Sequence, residues 1–412
     1  MMRIASLLMS LVLLVACSDD DSSPADPGTP PDQPTIDDLR LGTYAGFAAD
    51  LARMASVTDS DPLIDAVWDT LRAHDRFPFV HQDSVMFLYR GTASSVAVAG
   101  DFNGWNPASG SATRLGDGDV WIAEYVFPTD ARLDYKFVRD GGTWLLDPEN
   151  PLRQRSGFGD NSELRMPGYV PSPWVEEQDG VVGGTLVPGS LASTALGYDV
   201  DYVVYQPAGH QSLTELPVMY VTDGHEYADP LMGSMVQVLD NLIAAGEITP
   251  IMAVFIDPRI DGTNRRAEQY ILNPDFASFV ADELVPLIDA TYATSTDRAD
   301  RGILGTSLGG LNSAYFGVQE TDTFKLIVCQ SPAFQAGSGG ILPLYAAAPL
   351  LDLDIFLTWG AFYDFGETTV QMQTLLDTEG YDYQHIVVNE GHSWGNWRAL
   401  LDDILIHYFG TD

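Results

Sequence analysis

The sequence predicts an α/β fold with a mostly parallel central sheet, preceded by a small β-sandwich, and three observations carry that expectation. Beyond residue 180, strand-like apolar runs alternate with helical ones, the pattern of parallel strands joined by crossover helices. Between residues 85 and 138 the apolar period falls to two, with Gly, Asn, Asp and Pro separating the runs. In the later half, Gly305-Thr306-Ser307-Leu308-Gly309 fits Gly-x-Ser-x-Gly, a sharp strand-to-helix turn that raises a serine hydroxyl into a pocket.

Taken in order, the chain opens on a targeting pattern. Arg3 precedes the short apolar stretch Ile4 to Val15, and Leu14-Val15-Ala16-Cys17 resembles the lipobox of bacterial lipoproteins. That stretch is shorter than the ~20 apolar residues a bilayer span needs. Residues 1–16 are therefore expected to be a signal peptide and Cys17 a lipidated N-terminus, held at a bacterial membrane by acyl chains alone and facing the periplasm or the exterior. A plain secretory signal is the alternative. Residues 17–35, rich in Asp, Ser and Pro, have almost nothing apolar to bury and read as a tether. Residues 36–80 carry two helical stripes, Leu39, Tyr44, Phe47, Leu51 and Met54, then Leu63, Ile64, Val67, Trp68 and Leu71, with Asp61-Pro62 as a start signal.

The sandwich is expected over residues 81–166, with strands at Val85 to Tyr89, Ser95 to Ala99, Trp121 to Phe127 and Asp134 to Val138. Residues 167–180, with Pro167, Pro171 and Pro173, read as a linker. In residues 181–412 the expected strands are Tyr202 to Tyr205, Pro217 to Thr222, Ile251 to Ile256, Gly302 to Leu304, Leu326 to Cys329, Ile355 to Trp359 and Tyr383 to Val388, with a helix over Phe276 to Tyr292. The charge balance, 20 Lys and Arg against 58 Asp and Glu, gives a formal −38 and argues against nucleic acid as a partner. Cys329 lies in the apolar run Leu326 to Cys329 and reads as a core residue. No metal-ligand spacing is present, so no metal and no cofactor are expected.

A serine hydroxyl is a weak nucleophile and needs a base with a third group behind it. Of the seven histidines, His392 alone follows a strand-like run on a loop that leads into a helix, in Asn389-Glu390-Gly391-His392-Ser393-Trp394. The acid should fall between serine and histidine in chain order, as in α/β-hydrolases. Asp364, just past the run Ile355 to Trp359, fits, and Glu367 is its rival. Two backbone N–H groups must face the developing oxyanion; Leu308, directly after the nucleophile, supplies one and His225, in Asp223-Gly224-His225-Glu226, the other.

The blocks Tyr220 to Gly224, Asn264 to Tyr270, Glu283 to Pro286, Gly305 to Gly310, Gln330 to Phe334 and Gly391 to Arg398 resemble the esterase D and enterochelin-esterase-like family. That resemblance implies an α/β-hydrolase domain with Ser307, Asp364 and His392 in the triad positions and Arg266 near the substrate cleft, with pairing of Arg266 to Glu268 or another carboxylate as the alternative. Where relatives often carry Gly-Gly-His-Asp, this chain has Glu390-Gly391-His392-Ser393. Gly100 to Trp105, Tyr135 to Trp144 and Asp147 to Pro151 resemble an early-set, immunoglobulin-like module of the glycogen-binding type. It implies that Trp105 and Trp144 stack on glucose rings while Lys136 and Asn161 bond hydroxyls, with glucan as a partner; packing is the competing role for the module. The expected activity is carboxylic-ester hydrolysis through an acyl-Ser307 intermediate, on a siderophore trilactone or an acylated or feruloylated polysaccharide. Acyl transfer to a sugar or lipid hydroxyl, or an idle fold that only binds carbohydrate, are the alternatives.

Overall fold

A computed structural model describes residues 33–57 and 60–411; the expected signal peptide, Cys17 and most of the expected tether lie outside them. An eight-stranded sheet runs in the order Thr185–Ala192, Asp199–Gln206, Met252–Ile256, Val218–Val221, Arg301–Thr306, Leu326–Gln330, Asp354–Gly360 and Tyr383–Val388. The first three strands pair antiparallel and the other five join in parallel, so the sheet is mixed. Its central strands are buried on both faces. Val218, Tyr220, Val254, Ile303 and Ile327 point into one apolar cluster, while Met219, Val221, Phe255, Leu304 and Val328 point into the other. Burial on both sides is why these strands read as unbroken apolar runs.

The edge strand Thr185–Ala192 was not anticipated from sequence. Its burial alternates between half-buried and exposed, and Pro188 and Gly189 interrupt it, which an edge tolerates and a central strand does not. Helix formation over the Phe276 to Tyr292 stretch begins at Pro274 and passes through a wider π turn, Phe279–Leu284, before Val285–Thr291. Pro286 stands just beyond that turn, where the missing amide is absorbed by the change of hydrogen-bond pattern.

Before this sheet lie two antiparallel sheets packed face to face. One runs Phe79–His81, Ser84–Arg90, Val120–Val126, Thr113–Arg114; the other runs Val96–Gly100, Arg132–Arg139, Asn161–Arg165, Arg153–Gln154, with Thr143–Leu145 also on Arg132–Arg139. Val85, Phe87 and Tyr89 face Val98, Leu133, Tyr135 and Phe137 in the shared core. The alternate residues Met86 and Leu88 are buried too, because helices Tyr44–Ala55 and Asp61–Ala73 lay Phe47, Leu51, Val67 and Leu71 over the outer face. That helical layer is what allows the strand Ser84–Arg90 to be apolar at successive positions. The stretch read as a linker is packed rather than free. Trp174 and Val175 join the core of the large sheet, and the Asn241 amide donates to the carbonyls of Trp174 and Glu176 at 2.8 Å each.

Candidate active site

The elbow is built by close approach. Strand Arg301–Thr306 ends at Ser307, which takes φ 58°, ψ −115° before helix Leu308–Gln319 begins. Such a backbone is strained for a residue with a side chain, and it points the hydroxyl out of the turn. A Cβ on Gly305 would overlap Thr222 Oγ1 and the Gly309 backbone, so strand, helix and neighbouring loop can meet here only around glycine. The Ser307 amide donates to the Gln330 carbonyl at 2.9 Å and the Ser307 carbonyl accepts from Ala333 at 2.9 Å, fixing the turn to the next strand end.

His392 Nε2 lies 3.0 Å from Ser307 Oγ and His392 Nδ1 lies 2.5 Å from Asp364 Oδ1. Asp364 is 2% exposed. Its other oxygen accepts from Ser331 Oγ at 2.6 Å, from Asn396 Nδ2 at 3.3 Å and from the Gly360 amide. Trp397 Nε1 donates to Ser331 Oγ at 2.8 Å, which fixes that hydroxyl's direction. The rings of Phe365 and Trp397 meet the imidazole edge-on, with centroids 4.7 Å and 4.9 Å away. The structure thus brings Ser307, His392 and Asp364 into one hydrogen-bonded line, while Glu367 stands exposed in the first turn of helix Gly366–Glu379.

Leu308 is the first residue of its helix and His225 the second of its own, so neither backbone N–H has an intrahelical acceptor, and none is found among the described residues. Asp223, at φ 52°, starts the short helix Gly224–Tyr227 that carries His225. Burial lowers the His225 imidazole below its usual range, favouring the neutral ring. Beside it, burial and then the charge of Asp223 push the Glu226 carboxyl up to about 7.

Of the two roles open to Arg266, the structure shows the pairing with a carboxylate, that of Asp223 and not Glu268. Its Nε donates to both Asp223 oxygens at 2.8 Å and its Nη2 to the Thr306 carbonyl at 3.0 Å, so it ties the His225 turn to the elbow instead of presenting its charge to a ligand. Asn161 departs from expectation: it is 9% exposed and its amide donates to Asp134 Oδ2 at 3.0 Å, inside the second sheet. Trp105 and Trp144 do lie together, centroids 6.4 Å apart, with Trp144 45% exposed, and Lys136 is half-buried on the adjoining strand.

Glu390, next to the histidine loop's Gly391, belongs to a buried charge cluster. Arg132 lies among Asp134, Glu163 and Glu390 at 2.7, 3.2 and 3.5 Å. Burial opposes its charge, but the three carboxylates outweigh it and push the guanidinium well above its ordinary range. Burial drives Glu390 up to about 7; Arg132 pulls down and Asp134 and Glu163 push up further. A carboxyl raised from 4.5 to about 7 stabilises the fold fully below pH 4.5, and that contribution is lost as the pH rises through about 7. Compared with Glu390→Gln, the native protein is therefore expected to lose thermal stability between these pH values; parallel Tm curves for the two proteins would contradict it.

A family profile described as Putative esterase matches residues 193–408, just over half of the chain. The chain belongs to that esterase family. The uncharacterised protein YjcH of Bacillus subtilis is 26% identical over 234 residues, 54% of this chain and 96% of that one. An endo-1,4-β-xylanase/feruloyl esterase of Xylanibacter ruminicola is 24% identical over 226 residues, 52% of this chain and 30% of that one. Iron(III) enterobactin esterase of Escherichia coli is 34% identical over 127 residues, 31% and 30% of the two chains. The chain thus spans under a third of the length of these last two relatives. The crystal structure of the enterobactin esterase of Shigella flexneri shares the fold, with a TM-score of 0.67 at 23% identity over 79% of this chain and 92% of that one. Family membership makes the chain a hydrolase of carboxylic esters.

Sequence reasoning gave no role to Ser331, Asn396, Trp397 or Phe365, although all surround the imidazole or its acid. Ser331, Asn396 and Trp397 fall in blocks that carried the family resemblance, and Ser331 stands one residue past a buried strand, as site residues of parallel sheets do.

Proposed function

We propose that the protein is a serine esterase that cleaves acyl or feruloyl esters on a polysaccharide through an acyl-Ser307 intermediate. The observation that supports the chemistry is the hydrogen-bonded line from Ser307 through His392 to Asp364. His392 Nε2 takes the hydroxyl proton as Ser307 Oγ attacks the ester carbonyl, then delivers it to the departing alcohol; water follows the same route to free the acid. Asp364 holds the imidazole with its proton on Nδ1. The amides of Leu308 and His225 receive the oxyanion.

Electrostatics favour a neutral sugar ester over a ferric siderophore, whose iron complex is anionic. Arg266, Arg265 and Arg259, the arginines on the elements next to the His225 turn, are paired with Asp223, Glu268 and Asp257. With these guanidiniums already matched by carboxylates, the elements next to the His225 turn offer little net positive charge to an anion. The xylanase/feruloyl esterase relative and the Trp105–Trp144 pair point the same way. An indole pair can stack on sugar rings of a glucan or related polymer. Cys17 is assigned as the lipid anchor that places the enzyme outside the cytoplasm, and radiolabelled fatty acid should be incorporated by the full chain and not by its Cys17→Ser variant.

The decisive assay is hydrolysis of p-nitrophenyl acetate, methyl ferulate, acetylated xylan and enterobactin, alongside fluorophosphonate labelling. Labelling at Ser307 with turnover of the first three is expected. Turnover of enterobactin alone would reverse the substrate assignment, and absence of labelling the mechanism. Trp144→Ala is expected to raise KM for the polymer roughly 5-fold, the loss of a stacking contact of about 1 kcal/mol, and to leave p-nitrophenyl acetate kinetics alone. Equal effects on both substrates would return Trp144 to a packing role.

A further inference from the structure

We propose that Arg132 is a positioning residue for His392, so that the N-terminal two-sheet unit, through this one side chain, sets the loop that delivers the base. The inference rests on the serine-esterase reading for its kinetic consequences, and on geometry for the clamp itself.

Arg132 begins the strand Arg132–Arg139 and is 1% exposed. Its Nη2 faces its own unit, donating to Asp134 Oδ1 at 2.7 Å, Glu163 Oε2 at 3.2 Å and Gln154 Oε1 at 3.3 Å. Its Nη1 faces the other way, donating to Ser393 Oγ at 3.0 Å and lying 3.5 Å from Glu390 Oε2. The backbone repeats the crossing. The Arg132 amide donates to the Asn389 carbonyl at 3.2 Å, and the Asn389 side chain donates to Asp130 Oδ1 at 2.8 Å. Contacts at 389, 390 and 393 hold the loop on both sides of His392.

The loop also has no slack against this surface. A Cβ on Gly391 would overlap the Asp101 carboxyl, and one on Gly395 would overlap the Arg132 guanidinium. Asp101 cannot readily give way, because its oxygens accept from the Asp134 amide at 2.8 Å and from Trp105 Nε1 at 3.1 Å. On its far side the loop touches the strand that leads to Asp364: the Glu390 carbonyl accepts from the Phe362 amide at 3.1 Å, and a Cβ on Gly360 would collide with it. The loop is therefore wedged between the two-sheet unit and the acid's own turn. A planar guanidinium with five donors is suited to hold two elements in fixed register, which a flexible ammonium is not.

The requirement for such a wedge follows from the imidazole's task. It must keep Nδ1 on Asp364 and Nε2 on Ser307 at once, and a misplacement of about 1 Å in a reacting group can cost roughly 100-fold in rate. Arg132 touches neither substrate nor imidazole; it acts through the loop.

The test uses the full chain and the variants Arg132→Met, Arg132→Lys, Glu390→Gln and Ser393→Ala, with Met54→Ala, in the helical layer, as a control for lost stability without a lost clamp. Readouts are kcat and KM for p-nitrophenyl acetate, the rate of fluorophosphonate labelling, and the low-field proton resonance of His392 Nδ1. Expected are a kcat reduced about 10-fold in Glu390→Gln and about 100-fold in Arg132→Met, on the scale of a displaced reacting group, with KM unchanged. Arg132→Lys should recover part of the loss, and the resonance should shift or broaden in each clamp variant and not in Met54→Ala. If Arg132→Met does not fold, the isosteric Glu390→Gln and the small change Ser393→Ala carry the test. Folded Glu390→Gln and Ser393→Ala proteins with native kcat and an unmoved resonance would overturn the clamp, as would losses that simply follow Tm. A native protein that fails to label at Ser307 would instead overturn the esterase mechanism, while the resonance still reports on the clamp.

Discussion

Ser307→Ala is expected to lower ester turnover by at least about four orders of magnitude while the fold survives. Oγ is the only atom lost, and its one side-chain partner is His392 Nε2, whose side chain is 28% exposed and can bond water in its place. No buried polar group is stranded, so the usual penalty for deleting a hydrogen-bonded hydroxyl is avoided. The backbone strain at φ 58° is the same for alanine as for serine. Stability should therefore stay within a few degrees in Tm, and the loss should appear in kcat, because attack and acylation have no substitute nucleophile. The residual rate would come from the Leu308 and His225 amides and from binding. Steady-state rates on p-nitrophenyl acetate with a thermal melt decide it; activity above about 1% of native in a folded variant would remove Ser307 from the mechanism.

Some of this site is legible in sequence because steric demands leave local marks. The elbow needs glycine at 305, where Thr222 and Gly309 press in, and that demand writes a pentapeptide. The loop of His392 follows a strand and opens a helix, and sequence places it correctly for the same reason: element ends are marked by composition. Partner choice is not local. Arg132 and Glu390 stand 258 positions apart, and nothing near either indicates that a charged residue in the run Arg132-Leu133-Asp134-Tyr135 reaches another unit. Asn161 misled for a related cause: an amide in a polar-looking segment is exposed or buried according to which sheet covers it, and here Asp134 claims it. Arg266 had two roles open to it in sequence, and the choice depends on Asp223, which only the folded loop brings within reach.

The choice between Asp364 and Glu367 shows the same limit, and it leads to the second large effect. Both follow the strand Asp354–Gly360, three positions apart, but Tyr363 and Phe365 adopt φ 49° and 55° on either side of Asp364. Those left-handed residues turn its carboxylate inward and leave Glu367 on the helix. Asp364→Asn is accordingly expected to reduce kcat by about 10⁴, and Glu367→Gln to change it little. An amide cannot reproduce the carboxylate's contacts in either orientation. With its NH₂ toward His392 Nδ1, that nitrogen must accept, the ring proton moves to Nε2, and the base no longer faces Ser307 with a lone pair. With its oxygen toward Nδ1, the NH₂ meets the Gly360 amide and Asn396 Nδ2, both donors, the first of which cannot reorient. Loss of the correct tautomer or disruption of the Gly360 turn follows, so kcat should fall even where KM and the melting curve are held. Near-native turnover by Asp364→Asn, or a collapse caused by Glu367→Gln, would transfer the acid's role to the exposed glutamate and require the loop at Gly360 to refold around it.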